Sequence, residues 1–207
     1  MSMIEALAEG GNYAEGLTFT GEDLSTDDPA DAITAVDLTQ AEFTDCTFDH
    51  CLLSGVQLKR ASLTNCTFKG CDLSNAKAHG TWWVGCSLRS CRLDGIELVE
   101  ALLRGCSLDG CSAVYANLGK TILERTSITD SRCKEAFVQE ARLKHTRLDG
   151  VDLTRADFFR TSLKGVDLSG CTIDGISVSE DFRELKGAKV SPEQAVGLAM
   201  LLGVTIV

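Results

Sequence analysis

Residues 46–73 read CTFDH-CLLSG-VQLKR-ASLTN-CTFKG-CDL, and every group of five repeats one pattern. A large apolar residue (Phe48, Leu53, Leu58, Leu63, Phe68, Leu73) sits at each centre, and a small or β-branched one (Cys46, Cys51, Val56, Ala61, Cys66, Cys71) stands two positions before it. Followed outward, the register runs from Leu38 to Val178, through 29 consecutive pentads without a slip. A period of five matches neither a helix at 3.6 nor a strand at 2. It requires a chain that turns a corner every five residues and keeps the same two side chains inside.

A longer period overlies the first. Cys46, Cys66, Cys86 and Cys106 are 20 residues apart, as are Cys51, Cys71, Cys91 and Cys111. Four pentads make one circuit, so the pattern predicts a four-sided coil whose cysteines stack in vertical columns about 4.8 Å apart. Further along, the columns continue through Thr126, Thr146 and Val166, and through Ser131, Val151 and Cys171. The positions therefore ask for a small side chain rather than a thiol. The spacing lacks the tight ligand pairs of a zinc site, and parallel stacked thiols point away from disulfide geometry.

The fold class expected is an all-β solenoid, a quadrilateral β-helix of about seven to eight coils and roughly 35 Å length, with a C-terminal helix. Eleven of the 19 glycines, among them Gly55, Gly70, Gly95 and Gly150, fall two residues after a centre. A turn with positive φ at that position favours glycine, so these corners read as type II turns. Corners at Arg60, Glu100 and Glu140 read as type I or a related turn.

Three regions follow. Residues 1–35 form an N-terminal cap and partial first coil, with centres at Phe19 and Leu24 out of phase with Leu38. Within them, 25–35 is rich in turn formers and acidic (Asp27, Asp28, Asp31), and reads as a projecting loop. Residues 36–180 form the coil. In 181–207, Ser191-Pro192-Glu193-Gln194 is a helix start, and Gly203 a stop. The helix is apolar nearly all round, and Val204–Val207 reads as a strand with a free edge. This tail is expected to join two copies through Val196, Leu198, Met200, Leu201, Leu202, Val204 and Ile206.

The charge is unevenly spread. The chain carries a formal −10, and residues 1–35 hold eight acids and no base, whereas 36–180 hold 19 acids against 17 bases. The side carrying Phe48 is the acidic one, with Asp49, Asp109, Asp130, Asp149 and Asp167. A second outward feature is apolar: Trp82, Leu102 and Ile122 precede their centres by one residue and stack at a spacing of 20. Exposed apolar stripes often mark partner sites. His50, His79 and His145 fall on three different sides with no paired nucleophile, and no phosphate loop, dinucleotide fingerprint or metal cluster appears. The expectation is a non-enzyme without cofactor, small-molecule substrate or direct nucleic-acid contact. No membrane span or signal peptide is read, and ten cysteines point to a reducing cytoplasm.

Ala-Asp-Phe at 156–158, Val-Asp-Leu at 151–153 and 166–168, Cys-Asp-Leu at 71–73 and Ala-Asn-Leu at 116–118 resemble the pentapeptide-repeat family. The resemblance implies a right-handed quadrilateral β-helix. The tail from Val190 to Val207 is similar to that of the quinolone-resistance (Qnr-type) members. It implies a dimer built by the tail and a DNA-imitating protein that binds type II topoisomerases, chiefly DNA gyrase, modulating them or protecting them from quinolone-like inhibitors. Some of those members project a second loop from mid-coil, for which the register from 36 to 178 leaves no room. The residues alone equally allow a general interaction scaffold working through the apolar stripe.

Overall fold

A computed structural model describes residues 1–25, 36–201 and 203–205. The chain winds as a β-solenoid whose coils stack at a spacing of 20 residues. Two sides carry three-residue strands. On the first lie β1 (Tyr13–Glu15), β3 (Glu42–Thr44), β5 (Ser62–Thr64), β7 (Trp82–Val84), β9 (Leu102–Arg104), β11 (Ile122–Glu124) and β13 (Arg142–Lys144). On the second lie β2 (Thr18–Thr20), β4 (Thr47–Asp49), β6 (Thr67–Lys69), β8 (Ser87–Arg89), β10 (Ser107–Asp109), β12 (Ser127–Thr129) and β14 (Arg147–Asp149). Each set forms one parallel sheet in chain order. The other two sides are held by single parallel bridges, one ladder from Asp23 through Leu52 to Thr172 and one from Asp37 through Gln57 to Ser177.

Paired strands within the pentad register number six per sheet, fewer than the seven to eight coils expected. Beyond β14 the pentads continue, but residues 162–164 form no strand, and the last circuit is tied by the bridges Asp152↔Thr172, Asp157↔Ser177 and Asp167↔Lys189.

The interior is what the register requires. Centre residues from Leu38 to Ile173 and the small residues two before them make one continuous core, in which Leu118, Leu143 and Leu148 are only partly buried. At its N-terminal end aromatic rings fill the bore. Phe48 and Phe68 stack at 4.4 Å between centroids, and Phe68 meets Trp83 at 5.5 Å. All ten cysteines are buried and free. Most columnar thiols find a backbone acceptor one coil below: Cys86 donates to the Leu63 carbonyl at 3.3 Å and Cys106 to that of Trp83 at 3.3 Å, whereas Cys91 donates to the Arg89 carbonyl of its own coil at 3.4 Å. Thr126 and Thr146 make the bond to the coil below, to Leu103 at 3.0 Å and Leu123 at 3.1 Å. The columns thus take small side chains, and the backbone acceptors suit a thiol or a hydroxyl along most of their length before Val151 and Val166 take over. Burial pushes the Cys133 thiol up to about 12.

The corners correct the sequence reading. Ten of the eleven in-register glycines have positive φ, as expected, but so do Arg60 at 56°, Glu100 at 59° and Glu140 at 55°. These are not type I corners. The stacked ladder holds non-glycine residues in the left-handed region, at a local cost of about 1–2 kcal/mol each that hydrogen bonds to the neighbouring coils offset. The Arg60 N–H, for example, reaches the His79 carbonyl at 2.9 Å.

Both ends are capped. At the N-terminus, α1 (Met3–Glu9) buries Met3, Ala6 and Leu7 over the first coil and carries a Ser2/Glu5 capping box. The partners Phe19↔Phe48 are 29 residues apart instead of 20, so nine extra residues are inserted between Asp23 and Asp37. The expected loop with Asp27, Asp28 and Asp31 falls here and, apart from Ser25, lies outside the described residues.

At the other end Glu184, 1% exposed, sits in a short 3-10 turn (Arg183–Leu185). Its carboxylate accepts from the Arg160 N–H at 2.8 Å, the Ser179 N–H at 3.2 Å and the Ser179 hydroxyl at 2.6 Å. Burial raises this carboxyl, but the donors outweigh it and hold it below the usual range. A depressed folded-state value contributes stability that is present above the unfolded value of about 4.3 and is lost as pH falls through the folded one. Glu184→Gln should therefore weaken the C-terminal cap at pH 7 by about 1–3 kcal/mol, with the gap to the parent chain closing below about pH 4. Hydrogen exchange of residues 179–185 measures this. A gap that stays constant with pH would mean that the charge contributes nothing.

Candidate interaction surfaces

A filled bore leaves the outside of the coil, and strand alternation dictates what stands there: the residues flanking each buried centre point outward. On the second side the position after the centre gives the column Thr20, Asp49, Lys69, Arg89, Asp109, Thr129, Asp149, each residue pairing with the next. The expected acidic stripe is therefore divided. Lys69 and Arg89 separate Asp49, which contacts His50 Nδ1 at 2.6 Å, from the rest. Asp109, Asp130 and Asp149 do come together. Asp109 accepts from the Thr129 hydroxyl at 3.0 Å, Thr129 pairs with Asp149, and the Asp130 N–H donates to the Asp149 carbonyl at 3.0 Å. Asp149 is shared with Arg147, at 2.8 Å. Asp167 stands apart from this trio. Ser169 donates to it twice and holds its carboxyl below the usual range, and its backbone bridges Lys189.

The three residues of the apolar stripe stack in register. Trp82 pairs with Leu102 and Leu102 with Ile122 on adjacent strands, and Trp82 is 59% exposed. Leu102 and Ile122 are half-buried. Phe137 and Phe159 are exposed on a neighbouring side, and Tyr115 and Leu52, which the sequence reading passed over, are exposed as well. Vertical ion pairs at the coil spacing of 20 residues, such as Arg92–Asp72 at 2.9 Å and Arg104–Glu124 at 3.1 Å, occupy much of the remaining surface. These are exposed pairs of small individual worth.

The tail helix α2 (Pro192–Leu201) begins at the expected capping box: Ser191 and Gln194 exchange hydrogen bonds at 2.8 and 3.2 Å. The Gln194 amide also donates to the carbonyls of Leu168 at 2.8 Å and Cys171 at 2.6 Å, pinning the helix across the last coil. No residue of α2 is buried. Leu198 packs against its own core, so it faces inward rather than toward a second copy. Val196, Met200, Leu201 and Val204 remain exposed, while Leu202 and Ile206 lie outside the described residues. His50, His79 and His145 are exposed. Among the described residues no group of three or more His, Cys, Asp or Glu could hold a metal, and no helix is long and apolar enough to cross a membrane.

A family profile described as "Pentapeptide repeat region" matches residues 41–118, and one described as "Pentapeptide repeats (8 copies)" matches 139–175. Together they cover more than half of the chain. The chain belongs to the pentapeptide-repeat family. Among solved structures, this pentapeptide-repeat protein is similar to a trypsin-treated form of QnrB1, described as a plasmid-mediated fluoroquinolone resistance protein. The two are 24% identical, with a TM-score of 0.57 over 94% of this chain and 97% of that one. It is also similar to HetL of the cyanobacterium Nostoc sp. strain PCC 7120, described as involved in heterocyst differentiation regulation. Here identity is 20% and the TM-score 0.52, over 91% and 94% of the two chains. Likeness at this level concerns the fold. The comparison with curated proteins gives no match.

Proposed function

We propose that this pentapeptide-repeat protein is a non-catalytic, cytoplasmic homodimer that imitates duplex DNA and binds a type II topoisomerase, DNA gyrase, modulating it or protecting it from quinolone-like inhibitors. The observation that carries the reading is the tail. Gln194 pins α2 onto the last coil and leaves Val196, Met200 and Val204 to solvent. This is the arrangement implied by the tail's resemblance to Qnr-type members, and an isologous contact between two copies would cover it and double the rod's length. The trio Asp109, Asp130 and Asp149 supplies negative charge on one side of the rod, where a topoisomerase would otherwise meet phosphates.

A double variant, Val196→Asp with Met200→Asp, should sediment as a monomer with the coil intact. A monomeric parent chain would end the dimer. Immobilised protein should capture gyrase and alter its supercoiling activity, with or without a fluoroquinolone; neither effect at micromolar protein would refute the reading.

A second reading is a general scaffold for an unrelated protein. The exposed indole of Trp82, stacked in register over Leu102 and Ile122, favours it. Under that reading Trp82→Glu abolishes partner capture and leaves the melting temperature within a few degrees of the parent. Under the topoisomerase reading gyrase binding survives the same change.

A further inference from the structure

The wall of the solenoid is open at one place. β13 and β14 are the last strands of their sheets, each paired on one edge only. The next circuit, residues 162–169, directs its bonds the other way: the N–H groups of Leu163, Gly165 and Leu168 reach the carbonyls of Glu184, Gly187 and Lys189 at 2.8–2.9 Å. Among the described residues no backbone bond joins 142–149 to 162–169. At the ends of this interval the circuits are tied by hydrogen bonds, where the Ala141 N–H meets the Thr161 hydroxyl at 2.8 Å and the Gly150 N–H meets the Gly170 carbonyl at 3.1 Å. On the other two sides the ladders run through without a break.

The opening has a distinctive lining. A groove of about 530 Å³ lies along β13, bordered by Arg142, Lys144, Arg160 and Lys164, against which Glu140 is the one carboxylate in the lining. Glu140 is 3.7 Å from Arg160, leaving Arg142, Lys144 and Lys164 exposed and without an acidic partner within 4.0 Å among the described residues. Behind the rim Leu143 and Leu148 are half-buried, unlike the centres above and below them. They border an apolar void of about 30 Å³ shared with Leu123 and Ile128. In a chain of net charge −10 this is a cationic, apolar-floored slot beside free strand edges.

We propose that this slot is a docking site for an extended acidic segment of a partner protein, which adds to the free edge of β13 with the pattern acidic–apolar–acidic. Free edge N–H and C=O groups are templates for an added strand. A rung of this solenoid points its central residue inward and its two neighbours outward. An added strand in the same setting places one apolar side chain over Leu143 and two carboxylates against Arg142, Lys144 and Lys164. Charge complementarity selects acidic over basic sequences. The inference is independent of the topoisomerase reading, which uses the opposite sign of charge on another part of the surface.

The test uses the whole chain and labelled pentapeptides in fluorescence anisotropy. Gly-Glu-Leu-Glu-Gly should bind saturably with Kd below about 1 mM, the range of weak contacts. Gly-Lys-Leu-Lys-Gly, and a Glu-Leu-Glu peptide with N-methylated backbone, should each bind at least tenfold more weakly. Arg142→Glu with Lys144→Glu should lose at least tenfold, while Arg92→Glu, on a distant side, should lose nothing. Absence of saturable binding by the acidic peptide overturns the proposal. Equal binding of the lysine or N-methylated peptide also overturns it. Displacement of the peptide by inorganic tripolyphosphate, with no effect of N-methylation, reduces the slot to a plain anion patch and likewise overturns it.

Discussion

Trp83→Ala should lower the unfolding free energy by about 3–5 kcal/mol, the usual range for emptying a large aromatic site in a sealed core. Trp83 is 2% exposed and packs against Phe68, and its Nε1 donates to the Thr81 hydroxyl at 2.8 Å, which in turn donates to the Ala78 carbonyl at 2.8 Å. Its column neighbours Leu63 and Leu103 fill the same place one coil away with less volume. The position therefore accepts leucine in shape, and Trp83→Leu should cost much less than Trp83→Ala. Because each coil of a solenoid is stabilised chiefly by its neighbours, a void at this level should also loosen the coupling between the two halves and broaden the transition. Urea unfolding at pH 7 measures both effects. A loss below 1 kcal/mol for the alanine variant would mean that the indole is not enclosed by the coils above and below.

Asp109→Lys, Asp130→Lys and Asp149→Lys combined should weaken gyrase binding by roughly a hundredfold or more, if each reversal costs on the order of 1 kcal/mol or above. The three carboxylates lie on three successive coils and are linked through Thr129 and the Asp149 backbone. Reversing them turns this acidic part of that side basic. The same change at Asp49 should matter less, because Lys69 and Arg89 already separate it from the trio. Circular dichroism should stay unchanged, since all three side chains point outward from corners or flanking positions. Binding that is unaffected by the triple reversal would leave the acidic side without a role.

The repeat made the architecture legible because a solenoid spells its inside on every circuit. Leu38 to Ile173 and the cysteine columns needed only counting. The corners were less legible. Arg60, Glu100 and Glu140 looked unsuited to positive φ, yet the ladder imposes it, since backbone bonds to neighbouring coils outweigh a local preference of about 1–2 kcal/mol. The N-terminal helix carried its signal in Ser2 and Glu5, but a seven-residue element falls below what periodicity detects. Glu184 had no periodic signal at all, and its role appears only when Ser179 and the Arg160 amide close around it. The open wall was invisible for the opposite reason. Leu143, Leu148, Leu163 and Leu168 keep the register without fault, yet 162–169 bonds 184–189 on one edge and, among the described residues, makes no backbone bond to 142–149 on the other. Likewise acids outnumbered bases when charges were counted by side, and the residue-by-residue pairing places Lys69 and Arg89 between Asp49 and Asp109.

The most direct test of the account is competition at the topoisomerase itself. A labelled duplex DNA bound to gyrase is followed by fluorescence anisotropy while the intact chain is added. The account predicts that the DNA is displaced along a saturable curve at micromolar protein and that the triple Asp→Lys chain fails to displace it. DNA that stays bound at every concentration of the chain would contradict the claim that this rod takes the place of a duplex.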